Sequence, residues 1–192
     1  LAGITDVPRV KSESNTKHEN KIRQVAEEGT QNILNSINQN CKIIMPSTHV
    51  VFEGLKDVKK DIEENEETKP ILSYGISKDL NEKQLQKSGK NFIILRLGSV
   101  YGYSTDTARI DIMANFFSKV ASQDGVLKLF AGGRQIKSLV PLIDVARCFK
   151  FMEENESINS EIFNLTKDTL TVKEVAEICK KNNVKFNYNT SI

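Results

Sequence analysis

The run Asn91-Phe92-Ile93-Ile94-Leu95-Arg96-Leu97 constrains the chain most, because it reads as the clearest buried strand in the sequence. Near-continuous apolar runs of this length belong to strands covered on both faces, as in a parallel sheet. A second short apolar run, Lys42 to Met45, is preceded by Asn38-Gln39-Asn40 and ended by Pro46. Between the two, Asp79 to Gln86 is polar and helix-forming. Strand, helix and strand at this spacing predict a βαβ unit and a parallel sheet, hence an α/β fold. In such sheets ligands bind beyond the carboxyl ends of the strands, which gives Ser47-Thr48-His49 a privileged position.

Composition narrows the function classes. With 192 residues, 39% hydrophobic and 27% charged, the chain is one ordinary domain or part of a larger one. A net charge of +2, with no cluster of lysine or arginine forming a stripe, gives no reason to expect nucleic acid. No apolar run approaches the roughly 18 residues of a membrane span, and no signal peptide is visible. Cys41, Cys148 and Cys179 are scattered and lack metal-ligand spacing, which suits free thiols in a reducing, cytoplasmic setting and no metal. The chain opens on Leu1-Ala2-Gly3 without an initiator methionine, and the polar tail Asn182 to Ile192 ends without closure. A fragment is the expectation.

Taken in order, Leu1 to Val7 reads as the end of a buried strand entering a loop, where Ala2 and Gly3 would let the backbone approach a ligand. A simple strand-to-loop turn fits those residues equally. Arg9 to Asn20 is a polar loop or helix lead-in. Ile22, Val25, Ile33, Leu34 and Ile37 form a helical stripe broken at Glu27-Glu28-Gly29-Thr30, and close packing against a neighbouring backbone would account for Gly29. Asp57 to Thr68, rich in Lys and Glu, is expected to be solvated. Gly89 suits the stop of the helix that contains Leu80 and Leu85. Downstream, Asp106 to Asp124 predicts a helix with Ile110, Met113, Phe116, Phe117 and Val120 inward, followed by a strand at Val126 to Phe130. Asp144 reads as the N-cap of a helix Val145 to Glu154. Ile162 to Leu165 reads as a strand, and Thr171 opens a last amphipathic helix with Val172, Val175, Ala176 and Cys179.

The chemistry centres on Ser73-Tyr74-Gly75-Ile76-Ser77-Lys78, expected in the first turns of a helix after Pro70. Four residues apart, Tyr74 and Lys78 share one face. A free phenol titrates near ~10 and is a poor base at neutral pH. An ammonium beside it favours the phenolate, so the phenol can exchange a proton with an alcohol or ketone while hydride moves. Thr48 suits either a hydrogen bond to a substrate oxygen or the capping of its own turn.

Several stretches together resemble the extended short-chain dehydrogenase/reductases, the NAD-dependent epimerase/dehydratase family, which act mostly on nucleotide sugars. These are Ser47-Thr48-x-x-Val51-Phe52, then Pro70 with Tyr74-Gly75-x-Ser77-Lys78, and Leu95-Arg96-Leu97-Gly98-Ser99-Val100-Tyr101-Gly102. Gly29-Thr30-x-Asn32-Ile33-Leu34, Gly132-Gly133-x-Gln135-x-Lys137-Ser138-x-Val140-Pro141-x-x-Asp144-Val145-Ala146 and Leu170-Thr171-Val172-x-Glu174-Val175-Ala176 extend the likeness over nearly the whole chain.

The resemblance implies the C-terminal part of a doubly wound, Rossmann-like parallel sheet plus a small mixed α/β substrate lobe. Residues 1–102 would form the second half of the dinucleotide-binding domain. Residues 103–192 would be mainly the lobe, with 138–165 returning in part to the main sheet. It also implies roles. Tyr74 would be the acid/base, Lys78 would bind the nicotinamide ribose and tune Tyr74, and Thr48 would hydrogen-bond the reacting sugar oxygen. Ala2 and Gly3 would line the cofactor, NAD or NADP, while Ser99, Gln135 and Lys137 would contact a nucleotide-sugar substrate.

The family's Gly-x-x-Gly-x-x-Gly turn does not occur in these 192 residues. His49 and Val50 stand where 4,6-dehydratases carry Asp-Glu, and valine transfers no proton, so an epimerase or reductase is expected over a dehydratase. Ser99 and Ala26 replace asparagines, and Lys137 replaces an arginine, losing its bidentate fork. The rival expectation is a non-catalytic adaptor or cofactor-sensing protein. The complete protein is expected to be a homodimer, and this chain by itself to be silent and poorly stable.

Overall fold

The computed structural model describes residues 16–59, 61–104 and 109–180. The expectations for Leu1 to Val7, including Ala2 and Gly3, and for the tail Asn182 to Ile192 lie outside the described residues. The chain divides into two compact units, one of residues 1–96 with 149–164, the other of residues 97–148 with 165–192.

In the first unit, α1 (Thr16–Ser36) leads to β1 (Ile43–Thr48), then to α2 (Ser73–Lys87) and β2 (Phe92–Leu97). A sheet of strand order β1-β2-β5 is completed by β5 (Glu161–Leu165), so the two predicted strands are neighbours. Their starts lie side by side, with the Ile43 N–H donating to the Asn91 carbonyl at 2.9 Å, as the parallel βαβ reading requires. The Ser160 N–H likewise meets the Phe92 carbonyl at 2.8 Å at the start of β5.

Alternation along the strands decides what faces α2. Phe92 and Ile94 pack with Leu34 of α1 and Leu85 of α2, joined by Ile43, Met45 and Ile162. Ile93 and Leu95, on the other face, are fully buried as well, so β2 is covered on both sides. Each such side chain contributes roughly 1.5–3 kcal/mol on burial. Continuing the pattern, Ser47 of β1 and Arg96 of β2 fall on the α2 side at the carboxyl ends of their strands.

Three expectations change here. The helix over Ile22 to Ile37 is not broken at Glu27-Glu28-Gly29-Thr30: α1 runs through. Gly29 is not explained by close packing, since a Cβ there would meet nothing within 4 Å. Of the stripe, Ile22 and Leu34 are buried while Val25 and Ile33 are exposed. Pro46 lies inside β1 instead of ending it, and β1 is half-buried over its first four residues. Proline lacks the N–H a central strand needs, and β1 is terminal in the order of this sheet. Gly89, with φ of 68°, ends α2 as expected.

The second unit holds a sheet of order β3-β4-β6, built from β3 (Ser99–Tyr101), β4 (Ile136–Pro141) and β6 (Asp168–Thr171). Val100 pairs with Val140 in the parallel β3–β4 ladder, and Lys137 with Leu170 in the antiparallel β4–β6 ladder. Two helices, α3 (Met113–Ser122) and α5 (Val172–Lys180), enclose a core of Ala114, Phe117, Leu127, Leu129, Leu139, Val175 and Ala176. Thr171 starts α5 as predicted and forms a capping box with Glu174. The Glu174 N–H donates to Thr171 Oγ1 at 3.1 Å, and the Thr171 N–H donates to the Glu174 carboxylate at 2.7 Å.

Other expectations for this unit fail. Of the predicted helix from Asp106 to Asp124, Asp106 to Ala108 lie outside the described residues; among the described ones the helix is Met113–Ser122, and Ile110 and Phe116 are exposed. Val126 to Phe130 forms no strand; it is an irregular stretch that buries Leu127 and Leu129 alternately. The helix around Asp144 is α4 (Leu142–Glu154), so Asp144 lies in its first turn and is not its N-cap. There it meets Arg147 at 3.3 Å and Lys167 at 3.4 Å.

Candidate active site

The turn after β1 sets the position of Thr48. Residues His49–Phe52 form a single 3-10 turn, with Thr48 as its extended N-cap at φ −150° and ψ 146°. The Thr48 hydroxyl accepts the Val50 N–H at 3.3 Å, which is the capping role, and its own proton is left to donate. Thr48 is 6% exposed. The end of this turn is closed by two hydrogen bonds, Lys69 N–H to the Val51 carbonyl and Gly54 N–H to the Lys69 carbonyl, each 2.7 Å. These bring residues 55–68 back on themselves and deliver the chain to Pro70 and α2.

Tyr74 is the second residue of α2, as expected, and half-buried. Gly75 follows because nothing larger fits without displacement: a Cβ there would stand 3.1 Å from Pro70 Cβ and 3.2 Å from the Val50 carbonyl oxygen. One turn on, the Lys78 ammonium donates to the Pro46 carbonyl at 2.9 Å and lies 5.9 Å from the centre of the Tyr74 ring. Burial lowers the Lys78 pKa, and the charge of Glu82 opposes that fall. Thr48, Tyr74 and Lys78 thus belong to one unit, at the carboxyl end of β1 and the start of α2.

A further cluster at the same place was not among the predicted site residues. Glu82, 1% exposed, accepts from Arg96 Nε at 3.2 and 3.1 Å and from Arg96 Nη2 at 2.8 Å, and it takes the Ser47 hydroxyl as well. Arg96 is itself 5% exposed, gives its other terminal nitrogen to the Glu64 carbonyl at 2.9 Å, and lies 5.0 Å from the centre of the Phe52 ring. Residues 57–68 are therefore not a purely solvated stretch: Glu64 and Ile62 also bind Asn164 at 2.8 Å. Two signals in the sequence point to this cluster. An arginine interrupts an otherwise apolar strand, and Glu82 continues the four-residue spacing of Tyr74 and Lys78.

Ser99, Gln135 and Lys137 lie in the second unit. Ser99 is half-buried in β3, and Gln135 is exposed just before β4, its carbonyl accepting the Val172 N–H at 2.9 Å. Lys137 is exposed on β4. Among the described residues no His, Cys, Asp and Glu cluster could hold a metal ion, and no helix is long and apolar enough to cross a membrane.

Solved structures share this fold. UDP-glucose 4-epimerase from Thermotoga maritima, determined with UDP-glucose, matches 90% of this chain at 22% identity, with a TM-score of 0.74. UDP-glucuronic acid 4-epimerase from Bacillus cereus, in complex with UDP-glucuronic acid and NAD, matches all of it at 22% identity and a TM-score of 0.79. RMD from Pseudomonas aeruginosa, complexed with NADPH, matches 98% of it at 15% identity and a TM-score of 0.79. This chain spans 59%, 62% and 67% of those three proteins. No curated protein matches the sequence. The family model described as the RmlD substrate binding domain matches residues 2–136. With that model covering most of its length, and with the motifs around Thr48, Tyr74 and Lys78 on the fold of the epimerases, the chain belongs to the RmlD substrate binding domain family.

Proposed function

We propose that this chain carries the proton-handling residues of an NAD(P)-dependent enzyme acting on a nucleotide sugar, an epimerase or a reductase. The observation that carries the reading is Lys78, fixed by the Pro46 carbonyl at 2.9 Å and set 5.9 Å from the Tyr74 ring centre. Pro46 takes one of the three donors of an ammonium. The other two suit the hydroxyls of a ribose, so the residues present fit the nicotinamide-ribose end of a dinucleotide. The glycine-rich turn that would hold its pyrophosphate is not among these 192 residues.

When bound, the cofactor supplies the acceptor or donor of hydride. Everything else is the work of side chains. Tyr74 takes the proton from a carbinol oxygen or returns it to a ketone, with its phenolate favoured by the adjacent Lys78 charge. The Thr48 hydroxyl, anchored by its acceptor bond from Val50, donates to the same sugar oxygen. Ser99, Gln135 and Lys137 contact the remainder of the nucleotide sugar. A homodimer in the cytoplasm is the setting that we propose for the whole protein.

In the whole protein, Tyr74→Phe is expected to lower kcat by about 10²-fold or more while KM changes little, as loss of a positioned acid/base should. Steady-state assays with UDP-hexoses and NAD(H) or NADP(H) check this. Near-normal turnover would remove Tyr74 from the mechanism. Nucleotide binding by the wild type without any turnover would favour an adaptor or cofactor-sensing role instead.

A further inference from the structure

We infer that Glu82 is a positioning residue of the Tyr74–Lys78 pair: its buried carboxylate, tied to Arg96 of β2 and to Ser47 beside Pro46 of β1, stands one turn along α2 from Lys78 and keeps that ammonium charged. The catalytic meaning of this inference rests on the function proposed above. Tyr74, Lys78 and Glu82 follow one another at intervals of four on α2, so they form a single stripe, each one turn from the next.

The carboxylate is bound at both oxygens. Arg96 reaches Oε1 at 3.2 Å and Oε2 at 3.1 and 2.8 Å, and the Ser47 hydroxyl donates to Oε1. A carboxylate gripped this way cannot swing away. The same grip joins Glu82 to the end of β1, where Pro46 holds Lys78 and Thr48 caps its turn.

The need for such a partner follows from burial. Desolvation drives the Lys78 pKa down, and Glu82 opposes it. A neutral lysine would no longer favour the Tyr74 phenolate. The other charged or titratable groups on the elements packed against α2 are few. Beside Lys78 and Glu82, α2 carries Tyr74, Asp79, Lys83 and Lys87, of which Asp79 is already paired with Lys83 at 2.6 Å. The turn after β1 carries His49, β2 carries Arg96, and β1 has no charged side chain. On α1, Arg23, Glu27 and Glu28 lie along the stretch whose backbone binds Asn81 and Gln84. Glu82 is the one carboxylate whose charge opposes the fall in the Lys78 pKa.

The test reads the lysine directly. Lysines of the whole protein are reductively 13C-methylated, the Lys78 resonance is assigned from Lys78→Arg, and its titration midpoint is followed by NMR. Glu82→Gln is expected to lower that midpoint by about one unit. Glu82→Asp, which keeps the charge, should leave it within a few tenths of the wild type. The double variant Glu82→Gln/Arg96→Met removes the buried pair together, leaving neither partner charged without the other, so it keeps the test open if the single variant does not fold; it too should lower the midpoint. The alkaline limb of the kcat–pH profile should move down with it. A midpoint unmoved by Glu82→Gln or by the double variant, or moved equally by Glu82→Asp, overturns the role of Glu82. Absence of turnover in the wild type overturns the enzyme reading alone, because the lysine midpoint is read without it.

Discussion

Lys78 is held at the expense of stability. Its pKa in the fold lies below the ordinary value of 10.5, because burial penalises the ammonium more than Glu82 restores it. In a window between the lowered value and 10.5 the unfolded chain therefore binds more protons than the folded one, and stability rises with pH there. Below that window the full cost of the buried charge is present. Lys78→Met is accordingly expected to melt at or above the wild-type temperature at pH 7, with the difference shrinking as the pH approaches 10.5. Thermal melts across that range check it. A variant several degrees less stable at pH 7 would mean that the bond to Pro46 outweighs desolvation. The Tyr74-x-x-x-Lys78 spacing made this pair visible in the sequence. The sign of the lysine's shift was not, because it depends on which neighbours exclude water.

The helix α2 buries mainly polar residues: Ser73, Ser77, Asp79, Asn81 and Glu82 beside Gly75 and Leu85. Ser77, Asp79, Asn81 and Glu82 are tolerated because each of them finds a partner. Ser77 donates to the Ser73 carbonyl at 2.8 Å, Asn81 to the Ala26 carbonyl at 2.9 Å, and Thr68 to Asp79 at 2.6 Å. The sequence located the helix and its start but not its buried polar residues, because their burial follows from partners on other elements. Two glycines give opposite predictions on this scale. A Cβ at Gly54 would lie 2.3 Å from the Lys69 carbonyl oxygen, at the closure of the turn after Thr48. Gly54→Ala should cost about 1–3 kcal/mol through forced displacement of the backbone. Gly29 is mid-helix with open space around it, so Gly29→Ala should stabilise by about 0.5–1 kcal/mol. Urea unfolding of the two variants separates the cases, and equal signs would refute the packing argument.

At the scale of the molecule, the proposed proton-handling residues and the proposed substrate contacts fall in different units. Thr48, Tyr74 and Lys78 are in the first; Ser99, Gln135 and Lys137 are in the second. That division predicts separable kinetics. Lys137 is exposed on β4, opposite Leu170 of β6, where its removal leaves no buried group unpaired. Lys137→Ala should raise KM for a nucleotide diphosphate sugar by about tenfold with kcat within twofold, as expected for binding shared by ground and transition states. A fall in kcat with KM unchanged would place Lys137 in the chemical step.

The sequence by itself determined the βαβ unit, because the apolar run Phe92 to Leu95 has the continuity of a doubly covered strand and a second short apolar run at Ile43 to Met45 precedes it at the spacing of one intervening helix. It also determined the start of α2 and the one-face spacing of Tyr74 and Lys78, both of which are local properties of the chain. Tertiary structure decided the rest. Phe116 carries the same apolar signal as Phe117, yet only Phe117 meets the core of Leu127, Leu129 and Val175. The local marks on Arg96 and Glu82, a charge inside an apolar strand and a four-residue spacing, do not name their partners, and the two become a buried pair only because β2 brings one strand end against the α2 turn that carries the other. Local propensity and spacing report what a segment can form. Which polar groups lose water, and which then need each other, is set by segments distant in the chain.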